Sequence, residues 1–406
     1  MRILHVVHQY PPDHVGGTEH YSQGLATAQV KAGHSAAVFY PRSGQSRLDV
    51  EARDGVEVYS AGAGARSRLD VFTAVFGSHD LQAQFDRVLD SFRPDVVHVQ
   101  HLIGLPLSIV HRARQAGRRC VFTLHDYWAL CGNAQMLTNY DRTTCDGPRL
   151  WLNCARCAAA RAGQPGLMLG APALAALFGL RARLIRRMLR QIDIFLAPSR
   201  LVGQMAVRAG ADLDRVRHVP YGIDKSGVRP RVARSDGEFR VVYIGSLAWQ
   251  KGVHVLVEAF NQVPEPATLS VYGDPGVFPE YSRALQALAR SPRIRFAGKL
   301  SRADLWPTLA EADLVAVPSV WYENQPLAIL EAFAAGVPVM ASDLGALPEL
   351  IEQGRTGWRV KAGNVEAWTR ALAGLVTGAT PRIDRVEAAV SEVAGDHLSR
   401  VVELYQ

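Results

Sequence analysis

Short apolar runs alternate with longer amphipathic stretches along the first half of the chain. Several of the apolar runs are continuous, as expected for parallel strands that are covered on both faces. The helical stretches between them include Glu19–Lys31 and His79–Phe92. The predicted strands are Arg2–His8, Ser35–Tyr40, Val56–Ser60, Asp95–Gln100, Cys120–His125 and Ile192–Ala197.

A polar segment around Tyr221–Glu238, rich in turn-forming residues, interrupts this alternation, which then starts again. The second series of strands is predicted at Arg240–Gly245, Thr268–Tyr272, Ile294–Ala297, Leu314–Pro318, Val337–Ala341 and Trp358–Val360. Its helices are predicted at Val253–Gln262, Glu280–Ala289, Ser301–Ala310 and Leu327–Ala335. Two successive βαβ series predict an α/β fold with two Rossmann-like, doubly wound domains that face an interdomain cleft.

The length of 406 residues suits two domains of ordinary size. We assign residues 1–220 to an N-terminal domain with a cysteine-rich insert at 128–165. Residues 221–380 form a C-terminal domain. Residues 381–406 contain a predicted helix, Val386–Tyr405, that is a candidate to pack back on the first domain.

The net charge of +7 indicates either an anionic partner or surplus surface arginine. The chain contains no recognition module for nucleic acid. The first eight residues have the pattern of a buried strand and not of a secretory leader. No run reaches the roughly 18 apolar residues needed to cross a bilayer. We therefore expect a cytoplasmic protein whose thiols stay reduced.

Two carboxylates, Glu323 and Glu331, are eight positions apart around the start of a predicted helix. The amides of Leu327 and Ala328 lie in its first turn, where unpaired N–H groups and the helix dipole can bind a pyrophosphate. Glu331 could then accept hydrogen bonds from ribose hydroxyls, and Glu323 could reach a sugar. Spacing alone favours the simpler alternative of a capping Glu and a surface Glu.

The residues around this pair resemble the signature of the family-four retaining glycosyltransferases. The matching segments run in family order from residue 1 to about residue 370. They are 16–19, 33–34, 219–224, 245–247, 251–252, 272–274, 323–339 and 342–350, with Gly354 and Gly357.

The resemblance implies the GT-B fold and a metal-independent hexosyltransferase that retains the anomeric configuration. The donor would be a nucleotide-sugar, with UDP- and GDP-sugars first. The acceptor would be a saccharide or a lipid-linked saccharide in glycan or polysaccharide biosynthesis.

The resemblance also assigns roles to single residues. Gly16 and Gly17 follow the first strand, where glycine can adopt positive φ and let the backbone approach a phosphate. Lys251 would neutralise the donor diphosphate as it leaves. His125 would lie beside the transferred sugar, with His98 and His101 near a neighbouring strand end. Catalytic roles thus fall to Glu323, His125 and Lys251, while donor binding falls to Gly16, Gly17, Gly245, Ser246, Lys251, Glu323, Leu327, Ala328 and Glu331.

Three positions depart from the family pattern. Ser246 stands where an arginine is usual, and a single hydroxyl cannot replace the bidentate grip of a guanidinium on phosphate. Ala346 stands where a second glycine is usual. Pro326 has no N–H, which makes Leu327 and Ala328 the amide donors.

Four of the five cysteines, Cys131, Cys145, Cys154 and Cys157, fall within 27 residues. The Cys154–Cys157 pair has the spacing of a metal knuckle. We expect a structural zinc, with an iron–sulfur cluster as the second choice and unmetallated thiols as the alternative. Cys120 belongs to an apolar strand and is expected to be a buried bystander.

A basic, amphipathic helix is predicted at Pro172–Gln191. Its leucines share one face and its arginines lie away from that face. The simpler interpretation is a core helix with a solvated basic side. The alternative is peripheral contact of residues 166–191 with the inner face of the membrane, next to a lipid-linked acceptor.

Other functions are compatible with some of these features. A nucleotide-sugar epimerase of the same fold would share the donor site, and Ser246 is the best argument for a non-catalytic nucleotide-sugar-binding protein. A nicotinamide dehydrogenase is disfavoured, because Gly16-Gly17 does not fit the Gly-x-Gly-x-x-Gly pattern.

Overall fold

The computed structural model describes residues 1–14, 16–229, 236–383, 386 and 394–406. The chain divides into two compact units. Unit 1 contains Met1–Pro220 and His397–Gln406, and unit 2 contains Tyr221–Asp396. Residues 387–393 of the predicted C-terminal helix lie outside the described residues, as do residues 230–235 of the predicted linker.

Unit 1 is an α/β unit built around an eight-stranded sheet. Its strands are β1 Arg2–Val6, β2 Ser35–Arg42, β3 Asp49–Arg53, β4 Val56–Gly62, β5 Val96–Val99, β6 Arg119–Thr123, β7 Ile194–Ala197 and β8 Val216–His218. Its helices are α1 Gly17–Lys31, α2 Arg68–Thr73, α3 His79–Phe92, α4 Ser108–Gln115, α5 Leu152–Ala162, α6 Ala171–Leu189 and α7 Arg200–Ala209.

Unit 2 is a smaller α/β unit with a six-stranded sheet. Its strands are β9 Phe239–Ile244, β10 Ala267–Tyr272, β11 Ile294–Gly298, β12 Leu314–Val317, β13 Val339–Ser342 and β14 Gly357–Val360. Its helices are α8 Val253–Phe260, α9 Pro279–Leu288, α10 Arg302–Glu311, α11 Leu327–Ala334, α12 Leu347–Leu350 and α13 Val365–Thr377. The last helix of the chain, α14, covers Ala394–Glu403.

The strand order creates a switch point in each sheet. In unit 1 the order is β3-β4-β2-β1-β5-β6-β7-β8, so the chain leaves β1 in one direction and returns to its other side at β5. In unit 2 the order is β11-β10-β9-β12-β13-β14, with the equivalent reversal between β9 and β12. Within each unit, the loops after the two strands at the switch point therefore lie together at the carboxyl edge of that sheet, where doubly wound sheets bind ligands.

The sheets are parallel because helical crossovers connect their strands, apart from β3, which pairs antiparallel with β4. Strands β1 and β5 at the unit 1 switch point are buried apart from Arg2. They pair with Ile3 opposite Val96 and Val6 opposite Val99. The end of the chain adds Val401 and Tyr405 to the core around Ile3. This packing makes the C-terminal residues a structural part of unit 1.

Candidate active site

The loops after β9 and β12 meet at the switch point of unit 2 and bring two predicted site residues together. Lys251 Nζ lies 2.8 Å from Glu323 Oε1, and the same oxygen accepts a 2.6 Å hydrogen bond from Ser319 Oγ. Lys251 Nζ also lies 5.0 Å from the centre of the Trp321 ring. Glu323 is buried, whereas Lys251 keeps about a quarter of its side chain exposed. The lysine can therefore reach an anionic ligand while Glu323 remains in place.

Close backbone approach holds these loops together. A Cβ on Gly252, whose φ is +68°, would lie 1.9 Å from the Pro318 carbonyl oxygen. Gly345, with φ of +66°, sits against Glu323, where a Cβ would lie 2.7 Å from the Glu323 amide nitrogen. The Ala346 amide donates to the Glu323 carbonyl at 3.0 Å. Side chains at either glycine would push the Lys251 and Glu323 loops apart.

Helix α11 presents its first turn next to this ion pair. Pro326 occupies the N-cap position and supplies no capping side chain, so the amides of Leu327 and Ala328 lack a side-chain cap. Glu331, one turn further along, is buried, and its Oε1 lies 2.5 Å from Arg302 Nη1. No sequence motif indicated this partner, since Arg302 belongs to α10. Its guanidinium remains two-thirds exposed and carries positive charge to the same edge.

Ser246, the main departure from the family pattern, is exposed at the carboxyl end of β9. Its carbonyl accepts a 2.8 Å hydrogen bond from the Tyr243 hydroxyl, and the Gly245 amide donates to the Tyr272 carbonyl at 3.0 Å. Burial, with a contribution from the Glu323 charge, raises the pKa of Tyr243 well above its usual value. The tyrosine therefore stays a neutral donor that fixes the backbone beneath Ser246.

A chain of buried hydrogen bonds leads from His125 through unit 1. His125 Nε2 lies 2.8 Å from Gln100 Oε1, and Gln100 Nε2 lies 2.9 Å from His5 Nδ1. His5 Nε2 then contacts Gln29 Oε1 at 2.7 Å, and Gln29 Nε2 donates to the Tyr405 hydroxyl at 3.0 Å. Tyr405, near the end of the chain, is thus connected to a predicted catalytic residue.

This chain has one direction, which determines the proton positions on its histidines. Gln100 accepts through Oε1, so His125 carries its proton on Nε2; Gln100 donates through Nε2, so His5 accepts at Nδ1. Burial, with a smaller effect of the His101 charge, lowers the pKa of His125 well below its usual value. His125 is therefore a neutral imidazole at neutral pH, suited to positioning a substrate hydroxyl rather than to donating a proton as a cation.

Glu19, at the start of α1, lies next to the paired rings of His8 and His101. Glu19 is buried, and its Oε1 lies 3.4 Å from His8 Nε2, whose ring centre is 4.4 Å from that of His101. His101 Nε2 contacts Asp126 Oδ2 at 2.9 Å. Burial acts to raise the pKa of Asp126, but His101 and the Trp128 amide together hold it below its usual value.

The expectation of positive φ at the glycine turn is wrong. Gly16 has φ of −142° and is extended, and Gly17 begins α1. The requirement at Gly16 is for space, because a Cβ there would lie 2.6 Å from Glu19 Oε2. Glycine at this position therefore lets the buried Glu19 carboxylate fold back over the start of the helix.

The four clustered cysteines lie close enough for their charges to interact. Burial is the main cause that raises the pKa of Cys154 to about 12, and Cys131, Cys145 and Cys157 add to it. Backbone amides donate to several of these sulfurs, among them Asn139 to Cys157 at 3.3 Å and Gly147 to Cys145 at 3.4 Å.

The Cys154–Cys157 pair, which has the spacing of a metal knuckle, is helical in the structure. Cys154 and Cys157 lie on α5, because the alanine-rich sequence around them favours a helix over a turn. As the side chains stand, no three His, Cys, Asp or Glu residues within the described ranges could hold a metal ion together. Structural zinc therefore stays a prediction.

The two units match two family descriptions. Residues 16–222 match "Glycosyl transferase 4-like domain", and residues 238–378 match "Glycosyl transferases group 1". The first match alone covers more than half of the chain.

Curated relatives match over different lengths. The chain is 29% identical over 197 residues to the sulfoquinovosyl transferase SQD2 of Arabidopsis thaliana, which covers 45% of this chain and 38% of that protein. It is 22% identical over 363 residues to an uncharacterized 42.6 kDa protein in the cps region of Klebsiella pneumoniae, covering 86% and 87%. The chain therefore spans well under half the length of SQD2 and most of the length of the Klebsiella protein.

Solved structures extend the likeness to the whole fold. Anabaena Alr3699/HepE, solved in complex with UDP and glucose, superposes with a TM-score of 0.69 at 18% identity. The superposition covers 99% of this chain and 98% of that one. At this identity the likeness shows the fold, which is GT-B.

Proposed function

Because the chain belongs to the group 1 glycosyltransferases, we propose that it transfers a hexose from a nucleoside-diphosphate sugar to an acceptor hydroxyl with retention of configuration. The observation that carries this proposal is the cluster at the switch point of unit 2. A partly exposed Lys251, the uncapped first turn of α11 and the buried Glu331 together offer groups for a diphosphate and a ribose.

The donor is proposed to bind through these groups of unit 2. The amides of Leu327 and Ala328 would contact the diphosphate at the positive end of the helix dipole. Lys251 and Arg302 both bring positive charge to this edge through their ion pairs with Glu323 and Glu331, and Arg302 is our candidate to compensate for Ser246. The HepE complexes with UDP and with UDP-glucose support a uridine nucleotide as the first donor to test, ahead of GDP.

Glu331→Ala should weaken UDP binding by roughly tenfold to a hundredfold, since hydrogen bonds to a charged group contribute about 1.5–3 kcal/mol. Isothermal titration calorimetry of the folded variant measures this. Glu366→Ala, a change at an exposed glutamate on α13, is the matched control and should leave affinity unchanged. An Arg302→Ala variant shows whether the arginine itself contributes, because Glu331 would then keep its carboxylate. Unaltered affinity in Glu331→Ala would exclude the ribose role.

The proposed reaction is a substitution on one face of the sugar. The bond between the anomeric carbon and the diphosphate oxygen breaks, and a bond from the acceptor oxygen forms on the same side. The acceptor proton passes to the departing phosphate oxygen, so no side chain needs to act as a base. Lys251 stabilises the charge on the diphosphate, while Glu323 and His125 position the sugar. In this proposal no metal ion takes part in the transfer.

The acceptor is proposed to be a saccharide or a lipid-linked saccharide of a glycan pathway, used at the cytoplasmic face of a membrane. The cps-region relative supports a polysaccharide context. The basic composition supports an anionic acceptor or surface, as developed below.

A direct test begins with binding of UDP, GDP, dTDP and ADP, followed by product analysis with the matching sugar donors. We expect one nucleotide to raise the melting temperature through linkage, and its sugar conjugate to give a new glycoside with the donor's anomeric configuration by NMR. An inverted product would exclude retention. An isomerised donor sugar without transfer would indicate an epimerase, and binding without turnover a non-catalytic protein.

We also propose that Cys131, Cys145, Cys154 and Cys157 bind one structural zinc ion after their thiols turn toward a common point. The backbone N–H groups that already donate to Cys145 and Cys157 would stabilise thiolates. The irregular segment 124–151 between β6 and α5 contains no helix or strand of its own and would gain a cross-link.

Metal analysis of protein from zinc-supplemented growth should find about one zinc per chain. Cys154→Ser should lose the metal and lower the melting temperature, whereas Cys120→Ala, a change at a buried thiol outside the cluster, should retain it. A folded wild-type protein without metal would refute the proposal.

A further inference from the structure

The positive charge of this chain is concentrated in one segment of unit 1. Residues 149–190 contain eight arginines and no acidic residue, whereas the whole chain carries a net charge of +7. The rest of the chain is therefore close to neutral. Only Arg181 of the eight is buried. The other seven arginines are exposed to solvent.

The same segment exposes large apolar side chains. It contains six of the twelve large hydrophobic residues that are exposed in the described parts of the chain. Leu169 is 93% exposed, Leu150 80% and Leu152 48%. Single exposed leucines are ordinary, but a group of them beside exposed arginines is characteristic of an interaction surface.

Geometry joins the two features into one face. An open groove of about 600 Å³ is lined by Arg149, Leu150, Leu152, Arg156 and Met168, among others. Leu169 follows Met168 in the chain and is the most exposed of the set. We call Arg149, Leu150, Leu152, Arg156, Met168 and Leu169 the arginine–leucine face. Its leucines can enter an apolar layer while its guanidiniums bind phosphates at the boundary.

Helix α6 packs on α5, which contributes Leu152 and Arg156 to this face. By length and composition Gly166–Leu189 could span a bilayer, a finding that corrects the expectation from the sequence, although core helices of soluble proteins pass the same test. Its buried side includes Phe178, Ile185 and Met188. Buried Arg181 donates to the Trp128 carbonyl at 2.8 Å and fixes the helix to unit 1. The exposed residues are thus held at the surface of a folded unit.

We propose that the arginine–leucine face docks unit 1 onto an anionic lipid surface. Charge complementarity favours this occupant, because the face carries two exposed arginines, and residues 149–190 around it contribute five further exposed arginines and no acidic residue. Each arginine near an anionic membrane adds about 1 kcal/mol to binding. The docking itself is independent of catalysis; it supports the proposed function only by favouring a lipid-linked acceptor, which such a surface would supply.

Vesicle flotation of the full chain tests this without any activity measurement. We expect binding to vesicles of phosphatidylcholine with phosphatidylglycerol, little binding to phosphatidylcholine alone, and release at high salt. Arg149→Gln/Arg156→Gln should weaken binding by about tenfold or more. Leu150→Ser/Leu169→Ser should abolish most of it. These side chains are exposed, so the melting temperature should stay at the wild-type value.

Val50→Ser/Val277→Ser is the matched control, since both valines are more than half exposed and lie outside the face. It should bind like wild type. Equal binding to both kinds of vesicle, no binding to either, or unchanged binding of the leucine variant would each overturn the proposal. So would a dimer in sedimentation equilibrium that the leucine variant converts to a monomer, because the face would then pair two copies of the chain.

Discussion

Lys251→Ala should lower the turnover number by roughly 10²–10³-fold, the loss typical when one group that stabilises developing negative charge is removed. Lys251 is the cation at the switch point of unit 2 that pairs with the buried Glu323. As the bond between the sugar and the diphosphate breaks, negative charge develops on the diphosphate. The interaction between Lys251 and the diphosphate is therefore strongest in the transition state. Turnover should therefore fall more than nucleotide affinity does.

Steady-state kinetics with separate kcat and KM values, together with UDP titration, measure this difference. Lys361→Ala, at an exposed lysine, is the control for loss of one surface charge. Lys251→Ala should also melt at a lower temperature, because the buried Glu323 carboxylate would lose the positive charge 2.8 Å from it while it stays buried. Wild-type turnover in a folded Lys251→Ala protein would contradict the leaving-group role.

The regular elements next to the switch points could be predicted because their sequences carry one dominant signal. Continuous apolar runs such as Ala36–Tyr40 and Leu314–Val317 are buried on both faces, and burial decides their structure. Strand β3 was missed for the opposite reason. Its residues Asp49–Arg53 are almost all exposed at the sheet edge, and they pair with β4 through the backbone alone.

The candidate site was predictable as a set of residues, but its partners were not. Glu323, Lys251 and Glu331 came from motifs, while Ser319 and Arg302 emerged only from the fold. Neither has a distinctive sequence context. Arg302 pairs with a residue 29 positions away because β12 and its neighbours bring α10 next to α11. Such pairs depend on tertiary geometry, which a local pattern does not encode.

The link between His125 and the end of the chain has the same origin. Tyr405 contacts Gln29 across 376 positions, because α14 belongs to the core of unit 1. Local signals could suggest a C-terminal helix. Only packing reveals that Tyr405, directly after this helix, hydrogen-bonds to the buried His98. The histidines themselves read as ordinary strand residues in the sequence.

Unit 1 should lose stability steeply as the pH falls below about 6.5, which is the pKa of an unfolded histidine. Burial lowers the pKa of His5 and of His397 to about 4. Burial, followed by the charges of neighbouring histidines, lowers the pKa of His98 well below its usual value. In this pH range the unfolded chain binds protons that the folded chain excludes, so stability present above pH 6.5 is lost toward pH 4.

Burial also lowers the pKa of His8 and His125 well below the usual value, so five histidines of unit 1 give a slope of up to about 7 kcal/mol per pH unit, against a total domain stability of about 5–15 kcal/mol. Calorimetric melting at a series of pH values from about 7 to about 5 should show the midpoint falling steeply. His397→Gln should reduce the slope by about a fifth, since it removes one of the five protons. His79→Asn, at a histidine that is 96% exposed, should leave the slope unchanged. A melting midpoint that does not change between these pH values would mean that the buried histidines already bind protons in the folded state, and the one-directional hydrogen-bond chain to His125 could not then exist as described.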